Sequence, residues 1–313
     1  MDGPEAIGGT GSPLVQSAIN FSEGRRPGVV EAILDAIRRA PQVHLADWSA
    51  DFDHNRLVAT ILGTPDVVAE AVMAAAEPSL AFIDLRSHRG AHPRIGAMDV
   101  VPLVPVRNVS TELLVERSVM LAQELARRYD LPVYLYEQSA RANRPSTLPH
   151  IRNGGFEALA GGPLTGARAP DFGPPRLHPT AGATVVGVRG PLVAYNVILD
   201  EPEGFAAGRI ASAIRKDRKH LPELWGVRAL AMVLPSRRRS QVSMNITHPD
   251  ATPLPPIFRY VARHADREGV RVVGSEIIGL VPSSALAGEP PENLACANFR
   301  QTQFLDYWLE RIP

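Results

Sequence analysis

The chain has 313 residues, enough for two domains with real cores. Its 33 lysines and arginines balance 33 aspartates and glutamates, so no net field steers it toward nucleic acid or an acidic membrane. A single cysteine, Cys296, excludes a disulfide framework and fits a reducing compartment, and no apolar run reaches the length of a membrane span.

Residues 1–13 are glycine-rich and lack the basic-then-apolar pattern of a secretory signal; a disordered lead-in to a cytoplasmic chain is expected. Residues 14–21 read as a strand, 29–39 as a helix, and 43–48 and 57–62 as strands. Thr64, Pro65 and Asp66 open a helix expected to run to about residue 76, with proline at its first position. Residues 80–85 and 100–106 are short apolar runs free of helical periodicity, so both are predicted strands. A helix over 110–128 presents Leu114, Leu121 and Leu125 on one face, and a strand over 133–136 follows. The glycine- and proline-rich stretch 161–182 is expected to be a long linker between two halves, of a length that is often functional. In the second half, 192–199 is a predicted strand, followed by a helix with Ala206, Ile210, Ala213 and Ile214 on one face. Strands over 227–234 and 241–247 flank the polar turn 235–240, whose Arg237, Arg238 and Arg239 read as a solvated tip. A helix from near Pro255 carries Ile257, Val261 and Ala265 and ends at Gly269; a last strand opens at Arg271. That order is β-α-β-β-α-β, the split unit of the ferredoxin-like motif. The first half follows a similar order without a sequence-level repeat.

The stretch Ser87-His-Arg-Gly-Ala-His-Pro-Arg-Ile-Gly-Ala-Met-Asp99 lies between the two apolar runs and holds two histidines, two arginines and two glycines. A polar loop held by rigid elements is where catalytic groups tend to sit. Pro93 biases the backbone of His92 to extended conformations and limits where its imidazole can point. A positioned histidine beside arginines and a carboxylate suits proton transfer near neutral pH. His88 and His92 have the spacing of metal ligands on a helix, but Gly90 and Pro93 argue against a helix and no third ligand stands nearby, so no metal is expected. No G-x-x-x-x-G-K-[ST] run supports nucleotide binding.

This loop resembles the signature of the formiminotransferase family, in which a histidine-proline-arginine-hydrophobic-glycine-alanine run precedes an aspartate and a strand, as His92-Pro-Arg-Ile-Gly-Ala-Met-Asp99 does here. Other segments resemble the family's motifs in order. They are Asn20-Phe-Ser-Glu-Gly-Arg25, Asp53-His-Asn-Arg56, Leu131-Pro-Val-Tyr-Leu-Tyr136 and Leu148-Pro-His-Ile-Arg152. Ala169-Pro-Asp-Phe-Gly173 leads into His178-Pro-Thr-Ala-Gly182, and Gln241-Val-Ser-Met-Asn245 and Val272-Val-Gly-Ser-Glu-Ile-Ile-Gly-Leu-Val-Pro282 close the set. The sequence departs from the family pattern at Ala18-Ile19, Ala91, Gly190-Pro191 and Ala213, the last where the animal enzyme carries a folate-binding asparagine.

The resemblance implies an α+β chain of two ferredoxin-like (βαββαβ) subdomains, 14–189 and 190–313, packed around a folate groove, and a homodimer. Because the signature loop lies in the first half and the linker carrying His178 ends where the second begins, each site is expected in a groove between the subdomains of one chain. It implies transfer of a formimidoyl group from N-formimidoyl-L-glutamate to N5 of tetrahydrofolate, a step of histidine degradation and one-carbon metabolism, with tetrahydrofolate as co-substrate. One proton must leave the attacking nitrogen and one must reach the departing glutamate nitrogen; a single imidazole, His92, is assigned both transfers. A cationic amidine favours a nearby carboxylate, for which Asp47, Asp51 and Asp99 are candidates, each of which could instead cap a loop. Folate and glutamate carboxylates suit arginine, here Arg56, Arg94 or Arg215, each of which could instead serve a structural ion pair. The implied folate loop is Gly173, Pro174, Pro175, Arg176, Leu177, His178, Pro179, Thr180, Ala181 and Gly182, whose prolines and Leu177 offer an apolar slot.

Two further readings stay open on the same residues: a folate-dependent enzyme that uses N-formyl-glutamate or another amidine donor, and a catalytically silent folate-binding protein. His92, Arg94 and Asp99 speak against the silent one. The sequence ends at Pro313, shortly after the apolar segment 304–309, without room for the cyclodeaminase domain that follows the transferase in some members. A separate cyclodeaminase acting on the product is therefore expected.

Overall fold

The computed structural model describes residues 11–313, so the expected lead-in falls outside the described residues apart from Gly11, Ser12 and Pro13. These are tied down: the Gly11 carbonyl accepts from Asn108 Nδ2 at 2.7 Å and the Ser12 carbonyl from Arg107 Nε at 3.3 Å. The chain is α+β and divides into two compact units, one ending at Arg189 and one beginning at Gly190.

The first unit opens β1 (Leu14–Phe21), α1 (Pro27–Arg38), β2 (His44–Asp51), β3 (Arg56–Gly63), α2 (Pro65–Phe82) and β4 (Met98–Arg107). It continues with α3 (Thr111–Tyr129), β5 (Val133–Leu135), the short helices α4 (Leu148–Ile151) and α5 (Gly155–Leu159), and β6 (Thr184–Val188). The six strands lie in the order β2-β3-β1-β4-β6-β5; β1 is antiparallel to β3 and β4, and β6 is parallel to both β4 and β5. Apolar side chains at helical spacing seat the helices: α1 buries Val30, Ile33, Leu34 and Ile37, and α3, capped by Ser110 Oγ on Leu113 N, buries Leu114, Leu121 and Leu125.

Two expectations are corrected here. The strand predicted over 80–85 is absent, because α2 runs on to Phe82 and the Ile83 N–H still donates to the Ser79 carbonyl at 3.1 Å. Pro78 removes the donor that would reach the Ala74 carbonyl, yet the helix continues beyond it and so does the buried face through Ala71, Ala75 and Ala76. The stretch 161–182 is not a linker: it folds back onto the first unit, with Val133 N donating to the Phe172 carbonyl and Leu164 N to the Pro175 carbonyl. It also feeds β6, an inner strand with no counterpart in the sequence reading; its five residues are all buried, so no alternation marked them.

The second unit is β7 (Val193–Leu199), α6 (Phe205–Asp217), β8 (Val227–Leu234), β9 (Arg239–Ile246), α7 (Leu254–Arg267) and β10 (Val272–Ile278). Its sheet is wholly antiparallel in the order β10-β7-β9-β8. Ala206, Ile210 and Ile214 of α6 and Ile257, Val261 and Ala265 of α7 are buried as the helical spacing requires, while Ala213 is half-buried. No helix among the described residues is long and apolar enough to cross a membrane.

Candidate functional site

The loop from Asp84 to Ala97 between α2 and β4 has no regular structure, yet backbone and buried polar groups fix it. Its floor is the turn before β3. Asn55, in the left-handed region at φ 48°, donates from Nδ2 to the Arg89 carbonyl at 3.0 Å, and Ala91 N donates to the Asp53 carbonyl at 3.0 Å. A Cβ on Gly90 would overlap the His54 carbonyl oxygen, so only glycine lets the loop approach this turn. Gly90→Ala is accordingly expected to destabilise the protein by about 1–3 kcal/mol, the usual range for forced overpacking. Thermal unfolding checks this, and an unchanged midpoint would contradict the close approach.

Asp99 is the centre of the site. It is fully buried; its Oδ1 accepts from Ile95 N at 2.9 Å and Gly96 N at 3.1 Å. Its Oδ2 accepts from Arg56 NH1 at 3.0 Å and from Arg152 NH2, while Arg56 Nε donates to Asn20 Oδ1 at 2.9 Å. One carboxylate thus joins the loop to β1, β3 and the end of α4. Burial alone would raise the Asp99 carboxyl, but Arg152 and Arg56 outweigh it and hold the group below the usual carboxylate range. Arg56 is lowered to about 10, chiefly by burial, and stays charged at neutral pH.

His88 and Arg94 form a second locked pair. Arg94 Nε donates to His88 Nδ1 at 2.6 Å, so the neutral His88 ring carries its proton on Nε2, which donates to the Asn55 carbonyl at 2.9 Å. Arg94 also grips Glu157 of α5 with both terminal nitrogens, at 2.7 and 3.1 Å, and this bidentate contact draws the Glu157 carboxyl down to about 2.

His92 is half-buried, and its Nδ1 lies 2.8 Å from the carbonyl oxygen of Pro93. A neutral ring donating from Nδ1 leaves Nε2 with a free lone pair. Desolvation first, then the charges of Arg56 and Arg152, hold the imidazole well below the usual histidine range. The His54 ring stands edge-on to it, 6.1 Å between centroids. His92 opens on a pocket of about 390 Å³ that it shares with Arg89, Arg94, Arg152, Gly154 and Glu157.

The loop from Gly173 to Gly182 is hydrogen-bonded to the same segment. Leu85 N donates to the Thr180 carbonyl and Ala97 N to the Ala181 carbonyl, both at 2.8 Å, and Ala183 N to the Ile95 carbonyl at 3.1 Å. Gly182, at φ 71°, packs so closely on the Ile95 carbonyl that no Cβ fits. His178 Nδ1 accepts from Ala181 N at 3.0 Å, and burial lowers the ring below the usual histidine range. Leu177 is buried, Arg176 is exposed, and Pro175, Arg176, Leu177, His178 and Pro179 wall a pocket of about 610 Å³ with Phe156 and Pro163. Phe156 and Glu157 are neighbours on α5, so this one helix borders both pockets.

The structure therefore brings together His92, Arg94, Asp99, Arg56 and the 173–182 loop in one unit. Asp51 is half-buried beside them, accepting from His54 N at 2.7 Å, and Asp47 is buried on β2 opposite Thr60. Arg215 is on α6 of the second unit, where its NH1 donates to the Ala229 carbonyl at 2.8 Å. Arg152, His54 and Glu157 were not singled out by sequence reasoning. Arg152 stood within a quoted motif, but nothing in its spacing pairs it with an aspartate 53 residues earlier. Among the described residues no group of three histidine, cysteine or acidic side chains could hold a metal.

Fold and site together define an α+β protein with an imidazole pocket built on a carboxylate–arginine hub. Residues 14–189 match the formiminotransferase domain, N-terminal subdomain, and residues 194–290 the formiminotransferase domain. The chain belongs to the formiminotransferase family. It is 38% identical over 273 residues to the glutamate formimidoyltransferase of Streptococcus pyogenes, covering 87% of this chain and 90% of that one. It is 36% identical over 301 residues to the glutamate formimidoyltransferase of Thermoplasma acidophilum, covering 95% and 98%. With the formimidoyltransferase-cyclodeaminase of Gallus gallus it shares 40% identity over 277 residues, which is 87% of this chain but only 51% of that relative.

Proposed function

We propose that this chain is a glutamate formimidoyltransferase, moving the formimidoyl group of N-formimidoyl-L-glutamate to N5 of tetrahydrofolate, with His92 as its general acid and base. The observation that carries the reading is a neutral imidazole with a free Nε2 at the mouth of an arginine-lined pocket, in a chain of this family. The N5 lone pair attacks the amidine carbon, a C–N bond forms, and the N5 proton passes to His92 Nε2. The tetrahedral centre then collapses, the bond to the glutamate nitrogen breaks, and the imidazolium returns the proton to that nitrogen.

Asp99 is spent on four internal donors and fully buried, so its part in this reading is to hold the loop and not to touch substrate. Arg94, which lines the pocket, is the proposed carboxylate anchor, with the substrate carboxylate taking the place of Glu157, and Asp51 beside His54 is the proposed partner of the cationic amidine. The apolar pocket of Phe156, Leu177 and the loop prolines has the lining that a pteridine and aminobenzoyl group need. The two β-α-β-β-α-β runs, with strand orders β2-β3-β1-β4 and β10-β7-β9-β8, support reading residues 14–189 and 190–313 as ferredoxin-like subdomains.

Following tetrahydrofolate by mass spectrometry with N-formimidoyl- or N-formyl-glutamate as donor tests the assignment. The reading expects the formimidoyl mass gain and none from the formyl donor; formyl transfer alone would replace it.

The chain is further proposed to act as a homodimer with each site inside one chain, since the His92 loop and the 173–182 loop are hydrogen-bonded within one unit. Mixing His92→Ala subunits with subunits altered in the 173–182 loop is expected to restore no activity. Recovery approaching half the wild-type rate per site would show a site shared between chains.

A further inference from the structure

Arg56 and Arg152 share a single oxygen of Asp99, and among the described residues no other carboxylate pairs with either. Two guanidinium groups on one carboxylate leave one positive charge uncompensated in a buried place. The carboxylate of the adjoining pocket cannot offset it, because Glu157 is gripped by Arg94 with both oxygens. Arg152 sits at the end of α4 with its side chain 11% exposed, lines the His92 pocket, and has a buried Nε with no hydrogen-bond partner among the described residues. Arg56, by contrast, has a second partner in Asn20 and does not line that pocket.

We propose that Arg152 is a positioning residue for the reaction: held by Asp99 against the wall of the His92 pocket, its guanidinium keeps the imidazole in the unprotonated form that can accept a proton. The proposal rests on His92 being the acid and base. A like charge beside a partly desolvated ring disfavours a second cation, so the imidazole stays neutral at pH values where a solvated histidine would be half protonated. The groups that act on the His92 charge are Arg56 from β3, Arg152 at the end of α4, the Pro93 carbonyl of its own loop and His54 from the turn. Of these the carbonyl alone favours the charged ring. Arg89, Arg94 and Glu157 complete the charged lining of the pocket.

The test is the pH dependence of kcat/KM, together with the NMR titration of the His92 ring, in the full-length protein and its Arg152→Gln and Arg152→Lys variants. Arg152→Gln is expected to move both acidic midpoints up by about one pH unit, and Arg152→Lys, which keeps the charge, to leave them near the wild-type position. A purely structural Arg152 would lower activity at every pH without moving either midpoint, and that result overturns the proposal. So does an equal upward shift in the lysine variant, which remains decisive if the glutamine variant does not fold. A ring midpoint that moves while the rate profile stays still would uphold Arg152's effect on His92 and refute His92 as the base.

Discussion

His92→Ala is expected to cut turnover by about a hundred- to ten-thousand-fold, the usual contribution of a positioned acid–base group, while folate binding is largely retained. The basis is geometric. Nδ1 is committed to the Pro93 carbonyl, Nε2 is free, and the ring is kept neutral by burial and two nearby arginines. His92 is half-buried on a pocket wall, so the variant should fold. Steady-state kinetics with tetrahydrofolate titration checks both halves; a near wild-type rate would remove His92 from the chemistry. Stability supplies a second readout. The folded His92 sits below the unfolded histidine value of about 6.5, so as pH falls through that value the unfolded chain takes up the proton first and stability is lost. His92→Gln should therefore lose less stability than wild type just below pH 6.5.

The other large effect is at Asp99. Asp99→Ala is expected to cost about 3–5 kcal/mol, the range for leaving buried charges without their partner. Two guanidinium groups would stay buried, and the Ile95 and Gly96 N–H groups would lose their acceptor. Denaturant unfolding measures this; a loss under about 1 kcal/mol, typical of an exposed pair, would mean that the hub is not load-sharing. The depressed carboxyl adds a pH signature. Its stabilisation is present above the unfolded value of about 3.9 and is lost as pH falls through the lower folded value, so the wild type should hold its hub into mildly acid solution.

Elements with strong amphipathic period or a turn signal were legible in the sequence. The α3 face of Leu114, Leu121 and Leu125, the Thr64–Pro65 start of α2 and the whole order of the second unit are examples. Two of the misreadings have a common cause. Residues 80–85 and 184–188 are short apolar runs, and period cannot separate a buried strand from the last turn of a helix at that length. The stretch 161–182 looked like a linker because its prolines and glycines mark turns, but its backbone groups pair with β5 and the His92 loop. At the site, the cluster around His92 was visible because its residues are adjacent in sequence. Arg152, Glu157 and His54 were not, since each reaches its partner only through the fold.

The most direct measurement is the fate of the transferred carbon. With N-formimidoyl-L-glutamate labelled with ¹³C in the formimidoyl group, tetrahydrofolate and the purified chain, NMR should show the label arriving on N5 of the folate as glutamate is released in equal amount. A label that stays on the donor, or leaves it as formate or formamide without joining the folate, would contradict the account.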